Sequence, residues 1–217
     1  MKIDIKDYTK VIKKKSILNN INISFESGKI YGLHGRNGSG KTMLLRAICG
    51  LILPTEGSVS IDGKIIGKDI EFPESVGIII ENMSMLPEYS GFDNLKMLAK
   101  IKKVATDDDI RNAMNSVGLD PDNKKRVGTY SLGMKQKLNI AQAIMEKPDL
   151  YLLDEPTNAL DEGTVSDIRK LLLNLKENGA LIIIASHNKE DLSVLCDEVI
   201  HINEGRISSV HSVNKDI

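Results

Sequence analysis

Gly35-Arg36-Asn37-Gly38-Ser39-Gly40-Lys41-Thr42 is the stretch on which the reading of this chain turns. It fits G-x-x-x-x-G-K-[ST], the phosphate-binding loop. It follows the apolar run Lys29–Leu33, which reads as a strand, and precedes Met43–Cys49, which reads as a helix. The motif carries chemistry only in that strand–loop–helix setting. Glycine lets consecutive N–H groups turn into one concavity and lets the main chain approach an anion closely. The N-terminus of the following helix adds a partial positive charge. In this arrangement Lys41 reaches the terminal phosphates of a nucleotide, and the Thr42 hydroxyl ligates Mg²⁺.

A second cluster stands far along the chain. Leu150–Leu153 is apolar and ends in adjacent carboxylates, Asp154 and Glu155, before Pro156. Acids at the end of a buried strand need partners, because an unpaired buried charge is costly. Successive strand residues point in opposite directions, so one carboxylate can face a metal and its neighbour a water. Beside a phosphate loop, the economical assignment puts Asp154 on the Mg²⁺ side and makes Glu155 the general base or water-positioner. Without that loop, both acids read as caps of the turn before Pro156.

Between these clusters the pattern changes character. The first third has the texture of strands and turns. Ile21–Phe25 alternates apolar and polar residues, and Glu56–Ile66 reads as a hairpin turning at Asp62-Gly63. From Gly91 to Val117 the pattern is helical, with a capping box at Thr106 and a stop at Gly118. Ser131–Met145 is a further helix, with Leu138, Ala141, Ile144 and Met145 on one side. Then β/α alternation resumes: a helix over Thr164–Lys176, an all-apolar strand Leu181–Ala185 of the kind buried on both faces of a parallel sheet, and short strands near Val199–Ile202 and Arg206–Val210.

Tyr130-Ser131-Leu132-Gly133-Met134-Lys135-Gln136-Lys137, just upstream of the acidic strand, resembles L-S-G-G-Q-x-Q-R, the signature of the ATP-binding cassette subunits of ABC transporters. The resemblance extends over nearly the whole chain. It implies that Gly35–Thr42 binds ATP, and that Ser131 and Gly133 contact ATP held by the opposite subunit of a head-to-tail dimer. A Ser and a Gly at a helix N-terminus can present donors to a γ-phosphate. Asn158-Ala159-Leu160-Asp161 resembles the family's D-loop, and Ala185-Ser186-His187 its switch-histidine loop, with His187 near the γ-phosphate and catalytic beside Glu155. The implied cofactors are ATP and Mg²⁺. The implied partners are transmembrane permease subunits and a second cassette, with the chain peripheral at the inner face of the membrane. The expected fold class is α/β: a P-loop NTPase core, mostly parallel sheet plus an antiparallel N-terminal β subdomain, with an inserted helical subdomain. The expected boundaries are a single domain over 1–217, with 1–81 and 150–217 as the ATP-binding lobe and 82–149 as the helical signature subdomain.

Three departures stand out. Leu132 and Met134 replace a Gly and the Gln of the signature. Ile12 occupies the place of the family's adenine-stacking aromatic, leaving Ile12 itself or nearby Tyr8 as the adenine contact. Glu81 stands at the Q-loop glutamine position, where it is also a candidate Mg²⁺ ligand. A Glu there and a Ser-Leu-Gly-Met signature resemble the bacitracin- and lantibiotic-type branch, which exports peptide antibiotics or protects against them.

Composition narrows the alternatives. The chain has 217 residues, is 41% hydrophobic and 27% charged, and carries a formal net charge of −1, so no general attraction to nucleic acid is expected. No apolar run approaches the ~20 residues of a membrane span, and the first residues lack the apolar core of a signal peptide. A cytoplasmic chain is therefore expected. The two cysteines, Cys49 and Cys196, read as buried thiols, Lys13-Lys14-Lys15 reads as a solvated turn, and the four histidines look scattered. Asn188-Lys189-Glu190-Asp191 matches the guanine-reading N-K-x-D of GTPases, but no Asp has a Gly three residues later, so it reads instead as a helix start capped by Asn188. A soluble ABC ATPase of translation or repair is the other alternative. Those have two cassettes in one chain or long coiled coils, whereas this chain has one cassette without sustained heptads. An ATP-binding clamp with weak hydrolysis is expected to lack Lys41 or Glu155, and both are present.

Overall fold

A computed structural model of the chain describes residues 1–80 and 85–213. Glu81, and with it the Q-loop position, lies outside the described residues. In chain order the elements are β1 (Lys2–Ile12), β2 (Lys15–Glu26), β3 (Ile30–His34), α1 (Lys41–Ile48), β4 (Glu56–Ile61), β5 (Lys64–Ile65), β6 (Val76–Ile79), α2 (Gly91–Lys102), α3 (Asp107–Ser116), α4 (Leu132–Ile144), β7 (Leu150–Asp154), α5 (Glu162–Glu177), β8 (Leu181–Ala185), α6 (Lys189–Leu195), β9 (Glu198–Asn203) and β10 (Arg206–Ser212).

The strands form two sheets. The smaller is antiparallel, in the order β2-β1-β4-β5. The larger has the order β10-β9-β3-β8-β7-β6, and it is parallel throughout except for β10 at its edge. The expected α/β class, with an antiparallel N-terminal sheet and helices inserted before β7, is what the chain adopts.

The all-apolar strands behave as their composition dictates. Leu150 and Leu152 of β7, with Leu181 and Ile183 of β8, join one core, shared with α1 and the small sheet. Tyr151, Leu153, Ile182 and Ile184 face the other core, with α2 to α6. A strand buried on both faces cannot alternate polar residues, which is why these runs are wholly apolar. Local chemistry ends the helices where expected. Thr106 and Asp109 form a reciprocal capping box on α3, and Gly118, at φ 70, follows its end. Asp62 and Gly63, both at positive φ, turn the β4–β5 hairpin.

β1 was not legible as a single strand. Its pairing with β2 shifts register after Ile5 and again around Tyr8, and Asp7 lies at φ 49, which breaks the two-residue period. Tyr8 consequently points inward. It is fully buried, its hydroxyl donates to the Ile52 carbonyl at 3.0 Å, and burial pushes its phenol above the ordinary range. The expectation that Tyr8 offers an aromatic face to adenine is therefore wrong: a ring inside the small sheet's core cannot stack on a ligand.

Candidate active site

The phosphate loop leaves β3 and enters α1. Its glycines are needed sterically. A Cβ on Gly35 would lie 2.2 Å from the Ile202 carbonyl oxygen, and Gly40 lies at φ 114. Gly40 also precedes α1 without giving it a side-chain cap, so the N–H groups of the first turn face the loop. Lys41 is only 6% exposed, and its ammonium is held by the carbonyls of Gly35 at 2.7 Å and Arg36 at 3.3 Å. The Ser39 hydroxyl is buried with no hydrogen-bond partner. An orphaned donor, an uncapped helix start and a buried ammonium in one loop fit an anion of phosphate size.

β7 delivers the acids to the same place. The Thr42 hydroxyl donates to Asp154 Oδ2 at 2.5 Å. These are hard oxygen donors of the kind Mg²⁺ takes, and no group of three or more candidate metal ligands occurs among the described residues. Mg²⁺ takes one or two protein oxygens and completes its shell with phosphate and water, so a hydroxyl and a carboxylate side by side fit it.

Glu155 turns sharply off β7 at φ 48, a region a residue with a Cβ rarely occupies, and its N–H donates to the Ala185 carbonyl. Its carboxylate meets the loop after β8. Oε1 accepts the His187 main-chain N–H at 3.0 Å and lies 2.7 Å from His187 Nδ1, while Ser186 Oγ is 3.4 Å from Oε2. The His187 ring itself is 66% exposed. The adjacent acids thus divide, Asp154 at the strand end toward Thr42 and Glu155 toward His187, and it is the turn at Glu155 rather than strand alternation that separates them.

A cleft of about 780 Å³ joins these groups. It is lined by Asn37, Gly38, Gly40, Lys41, Thr42, Asp154 and Glu155 together with Ile12, Lys13, Lys15 and Ile17. Ile12 therefore reaches the cleft although Tyr8 does not. Lys13 and Lys14 form the β1–β2 turn, as expected, both at positive φ. Ser131 and Gly133 are not part of this cleft. Ser131 caps α4, accepting the Met134 N–H at 3.2 Å, and Leu132 beside it is 75% exposed. A Cβ on Gly133 would lie 3.0 Å from the Ala159 carbonyl, so the signature segment approaches the D-loop of its own chain. Asp161 caps α5 through the Thr164 N–H and hydroxyl, and those bonds hold its carboxyl below the usual range.

Two arrangements escaped the sequence reading. Gln136 of α4 donates to the carbonyls of Glu155 at 3.2 Å and Pro156 at 2.8 Å, tying the signature helix to the acidic turn. The histidines are not all scattered either: His34 and His201 face each other across β3 and β9, Nδ1 to Nδ1 at 3.2 Å, and the His211 ring centroid is 5.4 Å from that of His201. Burial, then His201, Lys189 and Lys41, hold the His34 imidazole below its ordinary value. The folded chain therefore binds fewer protons there than the unfolded chain as pH falls through ~6.5. Stability contributed by neutral His34 is present above that value and is lost on acidification. Thermal midpoints measured from pH ~7.5 to ~5.5 are expected to fall less steeply for His34→Leu than for the wild type. Equal slopes refute the assignment.

Comparison with known proteins meets this geometry. The ABC transporter family model matches residues 18–158. The uncharacterized ABC transporter ATP-binding protein YybJ of Bacillus subtilis (strain 168) is 57% identical over 211 residues, covering 97% of each chain. The bacitracin transport ATP-binding protein BcrA of Enterococcus faecalis is 38% identical, over 98% of this chain and 72% of its own length. Among solved structures, the ATP-binding cassette MJ0796, in a dimeric post-hydrolysis state bound to ADP and Pi, superposes with a TM-score of 0.87 at 22% identity, covering 98% of this chain and 99% of that one, a likeness of fold. With sequence and fold in agreement over nearly the whole chain, this protein belongs to the ABC transporter family as one of its ATP-binding, ATP-hydrolysing subunits.

Proposed function

We propose that the chain hydrolyses ATP in complex with Mg²⁺, pairs with a second cassette around the nucleotide, and drives separate transmembrane permease subunits from the inner face of the membrane. The observation that carries the hydrolytic reading is the Glu155–His187 contact at 2.7 Å, beside Thr42 and Asp154. Thr42 and Asp154 would hold Mg²⁺, which neutralises charge on the phosphates when bound. Glu155 orients the attacking water and takes its proton, and the His187 contact fixes the carboxylate. Gly35–Thr42 cradle the phosphates. The base lies toward Ile12 and Ile17, on aliphatic surface in place of an aromatic face. Ser131 and Gly133, outside the cleft, close the site of the opposite cassette, while Asp161 orders the D-loop between them. Residues 1–81 and 150–217 act as the ATP-binding lobe and 82–149 as the helical signature subdomain. Gln136, bridging α4 to the Glu155 turn, supports coupling between the two.

Binding energy at the closed interface performs mechanical work through differential affinity for open and closed states. The similarity to BcrA supports export of, or self-protection against, a peptide antibiotic of the bacitracin type as the transporter's task. No described helix is long and apolar enough to cross a membrane. Purification of the tagged chain from its native membrane in mild detergent tests this reading. A multi-span membrane protein is expected to copurify, and its ATPase activity to require Mg²⁺. A chain that copurifies with no membrane protein, active or not, refutes transport.

A further inference from the structure

Asn188-Lys189-Glu190-Asp191, which mimics a base-reading loop in the sequence, has another task in the fold. Asn188 caps α6 through the Glu190 N–H, and the fourth residue turns inward. The Asp191 side chain is 1% exposed. Its oxygens divide their work. Oδ2 accepts the Thr157 hydroxyl at 2.5 Å. Oδ1 accepts Arg169 Nε at 2.8 Å and lies 2.7 Å from the second guanidinium nitrogen. Arg169 extends further, to Glu190 at 2.8 Å. Three segments therefore meet at one carboxylate: the turn after β7, where Thr157 follows Glu155 by two residues; α5, which carries Arg169; and α6, which begins just after His187.

We propose that Asp191 is a positioning residue for hydrolysis: by gripping Thr157 and Arg169 it sets the turn that carries Glu155 against the helix that follows His187, and so fixes the geometry of the Glu155–His187 pair. The inference rests on the reading of that pair as the hydrolytic one. Neither member is held by its own burial. The His187 ring is largely in solvent, and Glu155 occupies a backbone region that surrounding structure must enforce. A buried ion pair is a weak source of net stability, because desolvation offsets much of its attraction, so the role assigned to this one is geometric. Arg169 is the cation that faces the Asp191 charge, and it is shared with the exposed Glu190. The Thr157 hydroxyl is a neutral donor that adds no charge, and its bond links α6 to the Glu155 turn.

Thr157→Val isolates that link. It keeps the side-chain shape, removes the hydroxyl donor, and leaves the Asp191–Arg169 pair intact. In the purified full chain with ATP and Mg²⁺, Thr157→Val is expected to lower kcat by about 10- to 100-fold, the scale of a small misplacement at a reacting centre. KM and calorimetric ATP affinity stay within about twofold, and Thr157→Ser, which restores the hydroxyl, recovers wild-type turnover. Asp191→Asn lowers kcat in the same direction, and adds nothing to the defect of Glu155→Gln, as residues acting as a unit do. Wild-type kcat in Thr157→Val, a parallel loss of ATP affinity, or failure of Thr157→Ser to recover turnover overturns the proposal. Glu155→Gln alone separates the two levels. Normal turnover in that variant removes the pair assignment itself, whereas slow turnover there with a normal Thr157→Val removes only the role of Asp191.

Discussion

Glu155→Gln is expected to bind ATP as the wild type does and to hydrolyse it at least about 10²-fold more slowly. Glutamine matches glutamate in shape, and its side-chain oxygen can still accept the His187 main-chain N–H that Glu155 Oε1 accepts at 3.0 Å. It cannot take a proton from water. The substitution therefore removes the base and leaves the scaffold. Nucleotide contacts in Gly35–Thr42 are untouched, so the loss falls on kcat and not on affinity. Because closure precedes hydrolysis, the ATP-bound pair of cassettes accumulates and persists on size-exclusion chromatography. Wild-type turnover in this variant removes Glu155 from the chemistry.

Lys41→Ala acts on binding instead. The Lys41 ammonium is buried beside the Gly35 and Arg36 carbonyls, where a charge-assisted contact to β- and γ-phosphates is little screened. Its removal forfeits about 2–3 kcal/mol, a ~30- to 150-fold fall in ATP affinity. The substitution also leaves two carbonyls without their donor, so a thermal melt belongs beside the titration. Calorimetry that finds ATP affinity unchanged, in a variant that melts like the wild type, sinks the phosphate-loop assignment.

These effects trace back to segments of very different legibility. The phosphate loop could be read directly, because eight contiguous residues carry both the backbone freedom and the ammonium that the site needs, and the flanking strand and helix were also plain. The acidic strand was legible for a related reason: an apolar run ending in two carboxylates has few physical solutions once a phosphate loop is present. The capping box at Thr106 and the Asp62-Gly63 hairpin were likewise local matters, decided within a few residues. Tyr8 was not. Its orientation depends on register shifts in β1 that local alternation does not reveal, and the ring that seemed available to adenine is buried against the chain's own core.

The sequence by itself thus determined the α/β class and the family to which the chain belongs, and it marked a candidate phosphate loop and a candidate pair of acids, since strand and helix periods and short motifs are each written within a few residues along the chain. The tertiary structure alone decided which distant groups meet. Strand order puts β3 between β8 and β9, and so brings His34 against His201 at a separation of 167 residues. The same order sets the ends of β7 and β8 side by side, so that Glu155 meets His187 and Thr157 reaches Asp191. Gln136 finds the Glu155 turn because α4 packs against the large sheet beside β6. Such pairings depend on how a whole sheet is ordered and how helices pack upon it, and long-range hydrogen bonding and apolar burial settle that order together, through contacts that no local stretch of the chain contains.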